Sequence, residues 1–197
     1  MTIKKLTYSL YFLSIIFAAE SGGFDNGTST GKGKFQLDLT WNPFDKYEFG
    51  QSYAVISYGI NDNFDIHGYI SEHPENYNTY YIGLFYQFYR SEKLDLSTAI
   101  GIRKKTDEKW NHMFFPQLLY TRIINKKFYI GGSFVNIYDY DSKFDYGLAL
   151  DVALFYRLNI KSSFINNISI GLGGFHPTTW EPKTFFLPTY SIDIKFK

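Results

Sequence analysis

Apolar and polar residues alternate along most of this chain, most clearly in its last segment. From Pro188 onward, alternate positions form one apolar and one polar face. The apolar face consists of Tyr190, Ile192, Ile194 and Phe196, and the polar face of Thr189, Ser191, Asp193 and Lys195. Because successive side chains of a strand point to opposite sides, the segment is predicted to be an amphipathic strand. A soluble barrel turns such an apolar face inward, whereas a transmembrane barrel turns it towards lipid.

The same period of two recurs from Phe35 to the end of the chain and predicts about ten strands. These segments have roughly the 9–11 residues that a membrane-crossing strand needs. No stretch has a convincing helical period. The sixth and seventh strands, residues 113–124 and 128–138, contain apolar residues on both sides or paired glycines, so the pattern leaves their facing open.

The predicted connections alternate between long and short. The long ones cover residues 42–50, 72–78, 104–112, 139–144 and 176–183, and the short ones cover 61–63, 91–93, 125–127 and 159–163. Outer-membrane barrels have short periplasmic turns, longer outer loops and an even strand number. The pattern therefore predicts an all-β fold: an up-and-down antiparallel transmembrane β-barrel of about ten strands, with both termini in the periplasm.

The N-terminus resembles a secretory signal peptide. Lys4 and Lys5 precede an apolar run over residues 6–19, which is too short to span a bilayer comfortably. Small residues at Ala19 and Ser21 favour cleavage after Ser21. We expect residues 1–21 to be a signal peptide, 22–34 a flexible lead-in and 35–197 the barrel, exported to the bacterial outer membrane.

Composition narrows the possible chemistry. Aromatic residues make up 21% of the chain, a bias that favours strands. The net charge of +1 gives no electrostatic case for binding nucleic acid. The absence of cysteine excludes thiol catalysis and cysteine-based zinc sites, and we expect no cofactor. Tryptophan, tyrosine and phenylalanine residues near the predicted strand ends are expected to form two aromatic girdles, the outer one including Trp41, Tyr80 and Phe114.

Taken together, the chain resembles the bacterial outer-membrane β-barrel proteins. In that superfamily the last strand carries a recognition signal for the barrel-assembly machinery, with an aromatic or apolar residue at the end and apolar residues at alternate positions before it. Tyr190, Ile192, Ile194 and Phe196 match this signal, although Lys197 follows the final aromatic residue. The resemblance implies outer-membrane lipid and the assembly machinery as partners, together with small solutes.

Charged residues of both signs are predicted on the lumenal face near the periplasmic end. They are Asp65, Asp95, Arg157, Asp193 and Lys195. In a narrow barrel, side chains fill the interior or leave room for a small ligand. We therefore expect these residues to form a charge network that either fills the lumen or makes a selective constriction in a small pore.

Histidines supply the alternative chemistry. His67 is predicted to face the lumen with Asp65, and three loop histidines, His73, His112 and His176, would meet at the outer rim. Such a cluster would suit a metal or acid–base site. The favoured function is a structural or narrow-pore barrel. The alternatives are a lipid- or peptide-hydrolysing enzyme with a site at the extracellular rim, and a soluble exported ligand-binding barrel.

Overall fold

The computed structural model describes residues 26–41, 52–72, 78–106, 111–139, 146–177 and 187–197, which form ten strands. The strands are β1 Phe35–Trp41, β2 Ser52–Gly59, β3 Phe64–Glu72, β4 Asn78–Arg90, β5 Leu94–Lys105, β6 Asn111–Ile123, β7 Phe128–Asp139, β8 Tyr146–Leu158, β9 Ile165–Pro177 and β10 Leu187–Phe196. Each strand pairs antiparallel with its neighbours in sequence, and β1 pairs with β10 to close the barrel. Among the described residues, no helix is long and apolar enough to cross a membrane. The predicted ten-stranded up-and-down barrel is confirmed.

The outer surface of the barrel is apolar. Each of the ten described strands exposes at least one large apolar side chain, with Ile82 66% exposed and Ile70 57% exposed. The inner face carries mostly polar or small residues. A belt of apolar side chains on this scale would be costly in water, and it is the arrangement that a transmembrane barrel presents to lipid. The predicted facing is therefore confirmed.

Short turns lie together at one end of the barrel, here called the short-turn end. Asparagine side chains support two of them: the Asn61 Oδ1 accepts from the backbone N–H of Asn63 (2.9 Å), and the Asn125 Oδ1 accepts from those of Lys127 (2.8 Å) and Phe128 (3.0 Å). Asparagine favours such turns because its side chain mimics a backbone acceptor. At the opposite end several strands are longer than predicted, since β5 reaches Lys105 and β9 reaches Pro177.

A bulge in β6 explains why its facing could not be predicted. Phe114 pairs with Gly101 and Gln117 pairs with Ala99, so three steps along β6 oppose two along β5. Pro116, which has no N–H for the ladder, lies in this bulge. Inward positions therefore switch from even to odd numbers within the strand. Phe114 was expected in the outer aromatic girdle, but its ring lies in the lumen.

Strand β7 has a single facing along its described length. Tyr129, Ser133 and Val135 are buried and face the lumen, whereas Phe134 between them is 46% exposed on the outside. Gly131 also faces inward. The paired glycines obscured this alternation in the sequence because they carry no side chain to mark either face.

Candidate functional site in the barrel lumen

Residues 26–34 are called here the N-terminal segment: residues 26–30 lie inside the lumen at the short-turn end, and the exposed Lys32 and Gly33 lie at its edge beside Gly59. The Thr28 hydroxyl donates to Asp95 Oδ2 (2.8 Å), and the backbone N–H of Thr30 donates to Asp65 Oδ2 (2.7 Å). Between them, the backbone N–H of Ser29 donates to Gln87 Oε1 (3.0 Å). Ser29 and Thr30 are each only 2% exposed. The segment thus contacts strands β3, β4 and β5 with consecutive residues.

Further contacts hold the segment from other sides. The Lys195 Nζ donates to the carbonyl oxygen of Ser29 (2.7 Å), and Arg90 donates to the Ser29 hydroxyl (2.7 Å). The Ser97 hydroxyl donates to the carbonyl oxygen of Gly27 (2.6 Å). A Cβ atom at Gly27 would lie 2.7 Å from the Cα of Tyr120, so the backbone runs directly against the wall of β6.

No pattern in the sequence predicts that this segment lies in the lumen. Its composition, rich in glycine, serine, threonine and asparagine, predicted a flexible lead-in. The same residues supply the hydroxyl and amide groups that contact the wall. The residues that the segment contacts offered an indirect indication. Alternation assigns Asp65, Gln87 and Asp95 to the inner face. Buried carboxylates and amides there need hydrogen-bond donors and acceptors, which another part of the chain has to supply.

The five predicted charge-network residues all lie towards the short-turn end, and their contacts run largely through neutral groups. Asp193 accepts from the hydroxyls of Ser191 (2.7 Å) and Tyr129 (3.1 Å). The guanidinium of Arg157 lies over the Tyr129 ring, 4.6 Å from its centroid. Asp65, Asp95 and Lys195 contact the N-terminal segment as described above. A network of mutual ion pairs among the five residues stays a prediction.

Two small cavities lie beside the docked segment. One of about 70 Å³ lies between it and a wall that includes Tyr129, Arg157 and Asp193, and another of about 20 Å³ lies beside Asp38 and Asp65. Both have room for water molecules among polar side chains. The Oδ1 atoms of Asp65 and Asp95 have no hydrogen-bond partner among the described residues.

Farther from the short-turn end, an aromatic cluster fills one side of the lumen. The Tyr81 hydroxyl is hydrogen-bonded to His67 Nε2 (3.1 Å) and accepts from Gln117 Nε2 (3.0 Å). Its ring stacks on Tyr69 with centroids 5.0 Å apart and lies 5.5 Å from Phe114. These groups link β3, β4 and β6 across the interior.

Glycines on the wall make room for lumenal rings. A Cβ at Gly171 would lie 2.6 Å from Phe155 Cε1, and one at Gly131 would lie 3.2 Å from Phe155 Cε2. Phe155 is completely buried and stacks on Tyr129. Large inward rings therefore pack over positions without side chains, as a narrow lumen requires.

The three rim histidines have different surroundings. His112 lies on β6 rather than in a loop, is 6% exposed and is hydrogen-bonded through Nδ1 to Arg103. His176 lies in β9, where its backbone pairs with that of Leu150 in β8, and His73 lies outside the described residues. Among the described residues, no group of three or more metal-ligating side chains is placed to hold a metal ion. A rim site formed by all three histidines stays a prediction.

The predicted assembly signal lies on the outer face of β10. Tyr190 is 36% exposed and Ile192 is 44% exposed, whereas Ile194 and Phe196 are partly buried. The strand pairs with β9 on one side and β1 on the other. Recognition by the assembly machinery stays a prediction.

Comparison with solved structures finds matches at low sequence identity. The KdgM porin matches with 10% identity and a TM-score of 0.53 over 82% of this chain and 98% of the porin. A second structure, the KdgM porin in complex with disordered oligogalacturonate, matches with 10% identity and a TM-score of 0.48 over the same shares. OccK5 (OpdH) from Pseudomonas aeruginosa matches with 11% identity and a TM-score of 0.30 over 80% of this chain and 62% of OccK5.

No protein-family model matches the sequence, and no curated protein matches it. The fold is that of a ten-stranded, up-and-down transmembrane β-barrel. The resemblance to outer-membrane β-barrel proteins is thus confirmed at the level of fold, and the KdgM porin is a solved structure that shares it.

Proposed function

We propose that this protein is a small channel of the bacterial outer membrane, which admits ions and small polar solutes. The proposal rests on one observation: the outer face of the barrel wall is apolar and the inner face is polar. Each described strand turns apolar side chains outward, while inward positions carry Asp38, Asp65, Ser97, Asp151, Asp193 and other polar groups along the lumen. An apolar outer band around a polar interior is the arrangement found in barrels with a water-filled channel, and it supports a path for polar solutes.

The bore limits the size of a solute. Tyr81 and Phe155 project from different strands into the middle of the lumen, and both are buried by their neighbours. Barrels of about eight strands have interiors just wide enough to be filled by side chains, so ten strands leave a narrow path at most. The proposed solutes are accordingly small and hydrophilic. The fold shared with the KdgM porin is consistent with this class of function.

The positions of the short turns support an orientation for the proposed channel. Because short turns of outer-membrane barrels face the periplasm, the proposal has the short-turn end and the N-terminal segment on the periplasmic side. The signal peptide over residues 1–21 would deliver the chain to the periplasm, and the apolar face of β10 would be read there by the assembly machinery.

Planar-bilayer recording tests the channel directly. The purified protein is expected to give discrete, small conductance steps, and Phe155→Ala should enlarge them because it removes a ring from the middle of the lumen. Ile82→Ala is a matched control, since Ile82 points outward and is 66% exposed. If the parent, Phe155→Ala and a variant without residues 26–33 all give no steps, and all are correctly folded by circular dichroism, the channel function is rejected.

A further inference from the structure

The N-terminal segment crosses the lumen from one wall to the other. At one end the Cβ of Asn26 lies 3.0 Å from the position of a Cβ at Gly131 in β7. At the other end the backbone N–H of Gly33 donates to the carbonyl oxygen of Gly59 at the end of β2 (2.8 Å). Between these two ends, the segment contacts β5 through Thr28, β4 through Ser29 and β3 through Thr30.

We infer that residues 26–33 form a reversible plug that closes the short-turn end of the lumen by docking on Asp65, Gln87 and Asp95. The inference rests on the proposed channel function, and it assigns the regulation of that channel to the chain's own N-terminal segment. Two features of the contact support reversibility: the chemistry of the segment and the chemistry of the wall.

The segment itself has no apolar side chain, because residues 26–34 are Asn, Gly, Thr, Ser, Thr, Gly, Lys, Gly and Lys. Its docking therefore gains little from burial of apolar surface. Hydrogen bonds to the wall, including those to charged groups, replace hydrogen bonds to water, and the loss of backbone freedom along the segment opposes their net gain. Glycine loses the most freedom, and Gly31 and Gly33 have positive φ values of 89° and 71°. Docking is accordingly close to balance, unlike an apolar contact.

The polar groups of the wall can be hydrogen-bonded with the segment docked or undocked. Asp65 and Asp95 are 3% and 4% exposed with the segment in place, and each uses one carboxylate oxygen to accept from it. Their other oxygens have no hydrogen-bond partner among the described residues. Undocking would admit water to all four oxygens, which offsets the loss of the two donors. Lys195 and Arg90 would likewise exchange Ser29 for water.

Docking of the segment can be measured by thiol labelling, without a conductance recording. The chain has no cysteine, so Ser29→Cys introduces a unique thiol in the segment, and Lys126→Cys provides an exposed control at the same end. In the folded protein we expect maleimide to label Ser29→Cys at least about tenfold more slowly than Lys126→Cys. Adding Lys195→Met should speed labelling, because it removes the donor to the Ser29 carbonyl. Equal labelling rates of the two single variants would overturn the docked segment.

Amide hydrogen exchange checks the same point in the unmodified chain. The N–H groups of Ser29 and Thr30 donate to Gln87 and Asp65, so they should exchange slowly, although faster than amides in the middle of the strands. Exchange as slow as that of the strands would overturn reversibility. Exchange at the rate of an unstructured peptide would overturn docking.

Conductance then tests closure. Deletion of residues 26–33, with residues 1–25 retained for export, should raise the open fraction. The pair Asn26→Cys and Gly131→Cys should do the opposite when oxidised, since their Cβ separation of 3.0 Å needs only a small shift to reach the roughly 3.5–4.5 Å of a disulfide. Reduction should restore the parent behaviour.

The outcomes separate the two proposals. If the parent and the deletion variant conduct equally, the plug is overturned and the channel stands. If no variant conducts, the channel is overturned, and slow labelling of Ser29→Cys would then identify the segment as a structural filler of the lumen.

Discussion

The rings of Tyr129 and Phe155 stack face to face in the lumen, with centroids 4.6 Å apart and planes 3° from parallel. The two residues are direct cross-strand partners on β7 and β8. Arg157 covers the Tyr129 ring, with its guanidinium 4.6 Å from the centroid, and Gly171 in β9 leaves space beside Phe155. Packing in this part of the barrel therefore depends on a large residue and a glycine at matching heights.

Gly171→Ala should destabilise the barrel through this packing. The new Cβ would lie 2.6 Å from Phe155 Cε1 and 2.8 Å from the Ser191 hydroxyl, so the ring has to move. We expect a loss of about 1–3 kcal/mol in the free energy of unfolding, the usual cost of overpacking. Urea unfolding followed by tryptophan fluorescence or gel mobility measures the change.

A double-mutant cycle isolates the ring as the cause. Phe155→Ala alone should cost about 3–5 kcal/mol, whereas Gly171→Ala should cost much less when Phe155→Ala is already present. Additive effects of the two substitutions would contradict the proposed contact.

Tyr81→Phe should be destabilising although it removes a single oxygen atom. The hydroxyl joins His67 and Gln117, and all three residues are at least nine-tenths buried. Its loss leaves polar groups on two strands short of a partner, with an expected cost of about 1–3 kcal/mol. Tyr80→Phe is the matched control, because Tyr80 is the adjacent residue, points outward and is 45% exposed. Similar unfolding free energies for both variants would count against the hydrogen bonds.

These contacts show which features could be predicted from the sequence. Alternation fixes the facing of a strand, so the inward positions of Tyr81, Phe155 and Asp193 followed directly from it. It fails where the ladder changes phase, as at Pro116 in β6. It also says nothing about which inward side chains meet across the lumen, because that depends on the relative heights of strands distant in sequence.

The N-terminal segment also shows that sequence pattern does not predict long-range contacts. A glycine- and hydroxyl-rich stretch has no periodicity, so local pattern cannot distinguish a free linker from one that lies along a polar wall. The contact between Ser29 and Lys195 joins residues 166 positions apart. Alternation indicates that Lys195 faces the lumen, but a single sequence does not show which distant residue it contacts.

Asp151→Asn is expected to weaken the contact between β7 and β8. Both carboxylate oxygens accept from Ser133, Oδ1 from the backbone N–H (2.7 Å) and Oδ2 from the hydroxyl (2.6 Å). An amide at this position keeps the shape but loses the charge, so two charge-assisted hydrogen bonds become neutral ones. We expect a cost of about 1.5–3 kcal/mol, as for hydrogen bonds to charged groups. Ser133→Ala, which keeps the backbone donor, should cost less in the same unfolding assay. The reverse order would contradict this account.

Leu84→Arg tests the lipid-facing belt. Leu84 lies in the middle of β4 and is 44% exposed on the apolar outer surface, whereas Tyr80 lies towards the end of the same strand on the same face. An arginine that faces lipid near the midplane costs about 2–4 kcal/mol, and one near the interface about 0–1 kcal/mol. In liposomes or lipid-like detergent, Leu84→Arg should therefore unfold at clearly lower urea concentration than Tyr80→Arg. Equal stability of the two variants would mean that the belt does not lie in hydrocarbon.

Purification with and without detergent tests the membrane placement before any mutant is made. We expect the barrel to need detergent, and a barrel that stays soluble without it would exclude the membrane placement.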